Sequence, residues 1–183
     1  MNTSGTVGDL VTTQVFRDVS AWYHLVVAFD TTQSTASNRV KIYINGSQIT
    51  SFATETYPSQ NFNTAVNSTS NQYISKRNYV DDRYYDGYMA EINMIDGQQL
   101  TPSSFGETKD GVWVPKSSSG LTFGTNGFYL PFDDSSAIGD DESSNTNDFT
   151  ANNLSAHDVV PDSPTNNFAT MSPLLTDTNN TTF

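Results

Sequence analysis

One stretch narrows the folding options more than any other: Asp86-Gly87-Tyr88-Met89-Ala90-Glu91-Ile92-Asn93-Met94-Ile95-Asp96. Ala90, Ile92 and Met94 alternate with Glu91 and Asn93, the period-2 pattern of a half-buried strand. Gly97 breaks the pattern. Thr101 is then placed to N-cap a short helix with Pro102 at its first position, and Gly106 to end it. A strand feeding directly into a one- to two-turn helix is an unusual local signature, so the segment Tyr84–Phe105 organises the reading of the rest.

Elsewhere the chain also reads as strand and loop. Leu10–Arg17 is a candidate first strand. Trp22–Asp30 is the most apolar run, rich in β-branched and aromatic residues, and predicts a central strand. Arg39–Ile44 alternates cleanly and Asn45-Gly46 is a two-residue turn signal, so Val40–Phe52 predicts a hairpin with Ser47–Phe52 as its return strand. Ala53–Thr69 reads as an irregular excursion, Gln72–Lys76 as a short strand and Arg77–Tyr85 as a loop. Val112–Pro115 predicts an edge strand, because Pro cannot donate to a ladder, and Gly127–Phe132 a further strand. Composition agrees: hydrophobic residues are only 35% and charged residues 15%, while aromatic residues reach 12%. Asn, Ser and Thr fill the gap, and strong helix formers are sparse.

The formal net charge is −12, with eight Lys and Arg among 183 residues. Phosphate backbones and anionic lipid repel such a chain, which argues against nucleic-acid and membrane-surface binding. Without Cys there are no disulfides, thiolate metal sites or Cys nucleophiles. No signal peptide or membrane span is visible in the sequence.

Trp22–Asp30, then Val40-Lys41-Ile42-Tyr43-Ile44-Asn45-Gly46, then Ile74-Ser75-Lys76, then Tyr85–Ile92 leading to Leu100-Thr101-Pro102, together resemble the laminin-G-like branch of the concanavalin A-like lectin/glucanase superfamily. The resemblance covers roughly residues 15–132. Asn126–Phe132, Asp148–Ser155 and Asp162–Phe168 are similar to virion proteins of marine bacteriophages that carry this module. The resemblance implies an all-β, antiparallel jelly-roll sandwich. Few residues precede Trp22, so the expectation is a sandwich incomplete at its N-terminus, either a fragment or one completed by a neighbouring subunit. The expected organisation is a flexible start over 1–9, the sandwich over 10–132, and an extended polar loop and arm over 133–183, of which residues 139–183 carry too few apolar anchors for a core of their own.

Three sets of residues are candidate sites. Glycosidases of the superfamily carry Glu-x-Asp-x-x-Glu on one strand; here Glu91 matches the nucleophile, but Asn93 replaces the helper acid and the shorter Asp96 the general acid, which argues against catalysis. The loop Tyr79, Asp81, Asp82, Arg83, Tyr84 and Tyr85 pairs flat aromatic surface with polar anchors, as saccharide binding requires. Asp140, Asp141, Asn145 and Asp148 offer oxygens to calcium, although the glycines of the family's Asp-Ser-Ser-Gly-Asn-Gly loop are missing from Asp141–Asp148 and a solvated loop is favoured. His24 and His157 have no triad partners, and Trp22 and Trp113 read as packing residues. The expected function is a non-enzymatic virion protein, extracellular on the particle, associating with other virion proteins and with itself (a trimer, for instance) and touching host glycans, without a cofactor unless calcium binds. A lectin-like adhesin and a glycoside hydrolase centred on Glu91 are the alternatives.

Overall fold

The computed structural model describes residues 8–68, 73–74 and 84–164. It is an all-β, antiparallel fold of the concanavalin A-like jelly-roll class, with single 3-10 turns as its only helical elements among the described residues. In chain order the strands are β1 (Asp9–Thr12), β2 (Leu25–Phe29), β3 (Val40–Ile44), β4 (Ser47–Gln48), β5 (Phe52–Thr56), β6 (Ile92–Met94), β7 (Gly106–Lys109), β8 (Val112–Pro115) and β9 (Phe128–Leu130). They pair as β1–β5, β2–β3–β4, β6–β9 and β7–β8.

The Val40 hairpin forms as its sequence dictates. Asn45 and Gly46 both adopt left-handed φ, 47° and 79°, the type I′ turn whose twist matches antiparallel strands. The return strand is shorter than expected. β4 stops at Gln48, and the chain re-enters a ladder at Phe52 to pair with β1, with a bulge between Val11 and Thr12. Part of the stretch expected to be irregular is therefore β5. β2 begins three residues after Trp22, because Asn45 closes that end of the ladder: its Oδ1 accepts the His24 N–H at 2.8 Å and its own N–H donates to His24 O at 2.9 Å. β2 is an edge strand, not a central one, since among the described residues it pairs with β3 alone. Its inward residue Ala28 is buried, while Leu25, Val27 and Phe29 are 59%, 53% and 38% exposed on the other face.

The loop between β2 and β3 is held by one cation. Arg39 donates to Gln33 O, Ser34 O and Pro58 O, each at 2.8 Å, so charge-assisted bonds satisfy three loop carbonyls at once.

The organising strand is shorter than its sequence pattern. Only Ile92–Met94 stays in a ladder, opposite Phe128–Leu130. Glu91 takes φ +54° and ends the extended run on one side; on the other, Asp96 turns the chain by donating its N–H to Phe123 O at 2.8 Å. The helix that follows is a single 3-10 turn, Pro102–Ser104, with Thr101 at the cap position. Thr101 makes no capping bond to the backbone; its hydroxyl meets Ser103 Oγ instead. Gly106 opens β7, which the sequence reading passed over. Asp110 and Gly111, with φ of 50° and 83°, turn β7 into β8 by the same type I′ geometry as Asn45-Gly46. The Gln72–Lys76 strand falls mostly outside the described residues, and Tyr73 and Ile74 lie in no strand.

Trp113 joins the hairpin sheet to the β7–β8 ribbon. Its indole lies against Gly46 and Gly106, where a Cβ on Gly106 would stand 2.6 Å from the ring. Its Nε1–H donates to His24 Nδ1 at 3.0 Å. The buried apolar set is small: Ala28, Val40, Ile49, Phe123 and Leu130.

Candidate functional site

The acidic loop expected to be solvated is instead built around a buried side chain. Asp141 is 7% exposed. Its Oδ1 accepts the Tyr129 N–H at 2.8 Å and the Ser143 N–H at 2.9 Å; its Oδ2 accepts the Ser143 hydroxyl and the Asn147 N–H, both at 2.8 Å. Burial pushes its carboxyl up, but the Tyr129, Ser143 and Asn147 donors outweigh that and hold it below the usual carboxylate value. Around this hub, Asp148 Oδ1 accepts the Asp141 N–H at 3.0 Å. Asn147 Nδ2 donates to Gly127 O at 2.8 Å, and Asn145 Nδ2 donates to the same carbonyl at 2.9 Å and to Gly124 O. The loop is thereby laid along β9.

This accounts for three of the four residues considered for calcium. Asp141, Asn145 and Asp148 direct polar atoms at the chain itself, while Asp140 is exposed and joins the loop through its N–H to Ala137 O. Among the described residues no group of three or more His, Cys, Asp and Glu is arranged to hold a metal.

Of the aromatic loop, Tyr79, Asp81, Asp82 and Arg83 lie outside the described residues. Tyr84 and Tyr85 are 62% and 54% exposed. The Tyr85 hydroxyl donates to Tyr88 O at 3.1 Å, so its ring folds back over Gly87 and offers an outer face to solvent.

The carboxylates of the organising strand separate. Asp96 is structural: Oδ1 accepts from Asn67 Nδ2, and Oδ2 accepts the backbone and side-chain N–H groups of Asn126 at 3.2 Å. Glu91 has a different neighbourhood. Burial and then the negative charge of Asp133 raise its carboxyl above the ordinary value. Tyr129 shares this environment; burial, Glu91, Asp133 and Glu142 push its phenol up to about 12. Asn93 pairs with Tyr129 across the ladder and donates Nδ2 to Glu91 O at 3.2 Å, and its Oδ1 is buried without a partner. Phe132 takes φ +60° at the same end of the β6–β9 ladder as Glu91. Glu91 itself and Phe132, next to Asp133, are thus non-glycine left-handed residues at this group, the kind of local strain that the surrounding structure must over-determine.

The sequence singled out Glu91 but paired it with Asp96; the geometry pairs it with Asp133 and Tyr129. No spacing rule relates residues 42 positions apart, and only the β6–β9 pairing brings them together. Trp113 packs as its sequence context indicated, and its partner is His24, for which the sequence suggested no role.

Residues 1–104 match the family model for the concanavalin A-like lectin/glucanases superfamily, laminin-G type. That is more than half of the chain, which belongs to this superfamily. No curated protein and no solved structure matches it.

Proposed function

We propose that this member of a lectin and glucanase superfamily is a non-enzymatic, carbohydrate-directed protein of a bacteriophage particle, an exposed appendage or decoration that meets host-surface glycans. The observation that carries the non-enzymatic part is the fate of the strand carboxylates. Asp96 is committed to Asn67 and Asn126, and Asn93 stands where a helper acid would be needed. A retaining glycosidase requires two free carboxyl groups about 5–5.5 Å apart, flanking the scissile bond. The virion setting is supported by the likeness of Asn126–Phe132 and Asp148–Ser155 to phage virion proteins, and by surface character. A polar, acidic exterior combined with the apolar outer face of β2 suits a subunit that associates with copies of itself or with other virion proteins.

The test is an oligosaccharide array read alongside hydrolysis of soluble β-glucans. Glycan binding without release of reducing ends is expected. Array-wide absence of binding would sink the carbohydrate reading. The second reading, a glycoside hydrolase, has in its favour the raised carboxyl of Glu91 beside Asp133. Hydrolysis that disappears in Glu91→Gln would establish it in place of the first.

A further inference from the structure

A cleft of about 510 Å³ opens between the Ser117–Leu121 turn, the outer side of β9 and the Glu142–Ser144 segment. Its volume lies in the roughly 300–1,000 Å³ range of small-ligand sites. We propose that this cleft is a binding site for an uncharged saccharide, with Tyr129, backed by the buried Phe123, as its platform and Ser118, Asp133 and Glu142 as its polar anchors. The inference rests on the carbohydrate reading above and deepens it by giving that reading a place and a specificity.

The platform comes first. The rings of Phe123 and Tyr129 stack at 6.3 Å between centroids with 22° between planes, and Pro131 continues the apolar surface. Sugar rings present apolar C–H faces edged by hydroxyls, so they need a flat apolar support with polar groups at its border. The border here consists of one buried, unmatched hydroxyl and two exposed carboxylates. Ser118 is 4% exposed, lines the cleft, and its Oγ has no hydrogen-bond partner. A buried hydroxyl left unmatched costs about 1–3 kcal/mol, so such groups mark places where something else supplies the bond. Among the described residues neither the Asp133 nor the Glu142 carboxylate makes a hydrogen bond or ion pair, in contrast to Asp141, next to Glu142, each of whose oxygens accepts two hydrogen bonds.

The same features select the ligand. No Lys or Arg lines the cleft. Two lining carboxylates, with Glu91 close to Tyr129, repel sulfated and sialylated glycans. A hard cation needs six to eight oxygens, and the described residues offer no cluster of three or more acidic or imidazole ligands. A neutral, hydroxyl-rich molecule meets both demands, because it donates to the carboxylates and to Ser118 without bringing charge.

The experiment is an array of neutral, sialylated and sulfated oligosaccharides in EDTA buffer, followed by calorimetry with the best neutral binder. Wild type is compared with Ser118→Ala, Glu142→Gln and Tyr84→Ala. We expect binding to a neutral glycan that survives EDTA and weakens about tenfold in Ser118→Ala and in Glu142→Gln, as loss of one hydrogen bond to a charged or buried group implies. Glu142 is exposed, so its variant folds even if the Ser118 variant does not. Neutral-glycan binding that persists in Glu142→Gln but disappears in Tyr84→Ala would overturn the inference and leave the carbohydrate reading standing. A preference for sialylated or sulfated glycans, or dependence on a divalent cation, would overturn it as well. If no glycan binds, both the reading and the inference fall.

Discussion

Trp113 and Asp141 do the same mechanical job in two regions of the molecule and do it by opposite physics. Trp113 fixes the β7–β8 ribbon to the hairpin sheet by laying a large ring on two glycines, with a single hydrogen bond to His24. Asp141 holds the acidic loop together through three donors from Ser143 and Asn147 and ties it to β9 through a fourth, the Tyr129 N–H. The first joint selects for size and the second for charge. A ring held by shape fails when something is added beneath it; a carboxylate held by donors fails when its oxygens or its charge are removed.

Breaking the charged joint has the largest expected effect. Asp141→Ala strands the Tyr129, Ser143 and Asn147 N–H groups together with the Ser143 hydroxyl, and is expected to cost about 4 kcal/mol in urea unfolding, at the upper end for loss of a buried polar network. Asp141→Asn keeps the shape and part of the bonding, and about 2 kcal/mol is expected. If Asp141→Asn costs nothing while Asp141→Ala does, charge is not what holds this region. Breaking the size-selective joint comes next. Gly46→Ala puts a Cβ into the Trp113 ring at a residue with φ +79°, and about 3 kcal/mol is expected from strain and overpacking combined. Trp113→Phe removes only the Nε1–H and some ring area, at about 1–2 kcal/mol; a larger loss than Gly46→Ala would mean that the hydrogen bond, not the fit, dominates.

Acid separates the two joints more finely. Burial lowers His24 from its ordinary value of 6.5, so the unfolded histidine takes up a proton that the folded one resists, and stability falls as pH drops below about 6.5. Protonation also removes the Nδ1 acceptor that Trp113 uses. Asp141 is held below its ordinary value of 3.8, so its contribution is complete above that value and is lost only as pH falls through its lower folded pKa. Unfolding midpoints measured from pH 7 to 2.5 should decline in two stages, with the first abolished in His24→Gln and the second reduced in Asp141→Asn, while hydrogen-bonded carboxylates such as Asp30 and Asp158 keep their share of it. Glu91 has the opposite sign. Its raised carboxyl favours the folded state below 4.5 and opposes it as pH rises, so Glu91→Gln should modestly stabilise the protein at pH 7. The smallest effect on stability is expected for Leu25→Ser on the exposed face of β2: a change within about 0.5 kcal/mol, with weakened self-association by sedimentation velocity.

The two regions also differ in how far the sequence reveals them. The hairpin could be read directly, because alternation and Asn45-Gly46 are local signals that tertiary contacts did not override. The Asp110-Gly111 hairpin carries the same signal and was passed over, because Gly106–Lys109 lacks apolar alternation. β2 was recognised as a strand but placed at the centre of its sheet: its apolar run is what a strand buried on both faces shows, yet Leu25, Val27 and Phe29 face outward. The Asp141 hub was not legible at all. Asp, Ser and Asn in a polar stretch have the composition of a solvated loop, and which carboxylate turns inward depends on backbone N–H groups of Tyr129 and Asn147 that no spacing rule supplies. Likewise Glu91 was visible as a candidate, whereas its neighbours Asp133 and Tyr129 come to it only through the β6–β9 register.

The order of the ladders along the chain has a consequence in time. β2, β3 and β4 all lie within residues 25–48, whereas β6 must wait for β9, 34 residues from Met94 to Phe128 where the two strands pair, and β1 for β5. Short loops close first, because closure entropy grows with separation. The hairpin sheet can therefore assemble while the Asp141 loop is still being synthesised, and it does so with Leu25, Val27 and Phe29 already turned to solvent. During that interval the nascent chain presents a finished but uncovered β surface, the stage at which it is most open to association with a neighbouring chain.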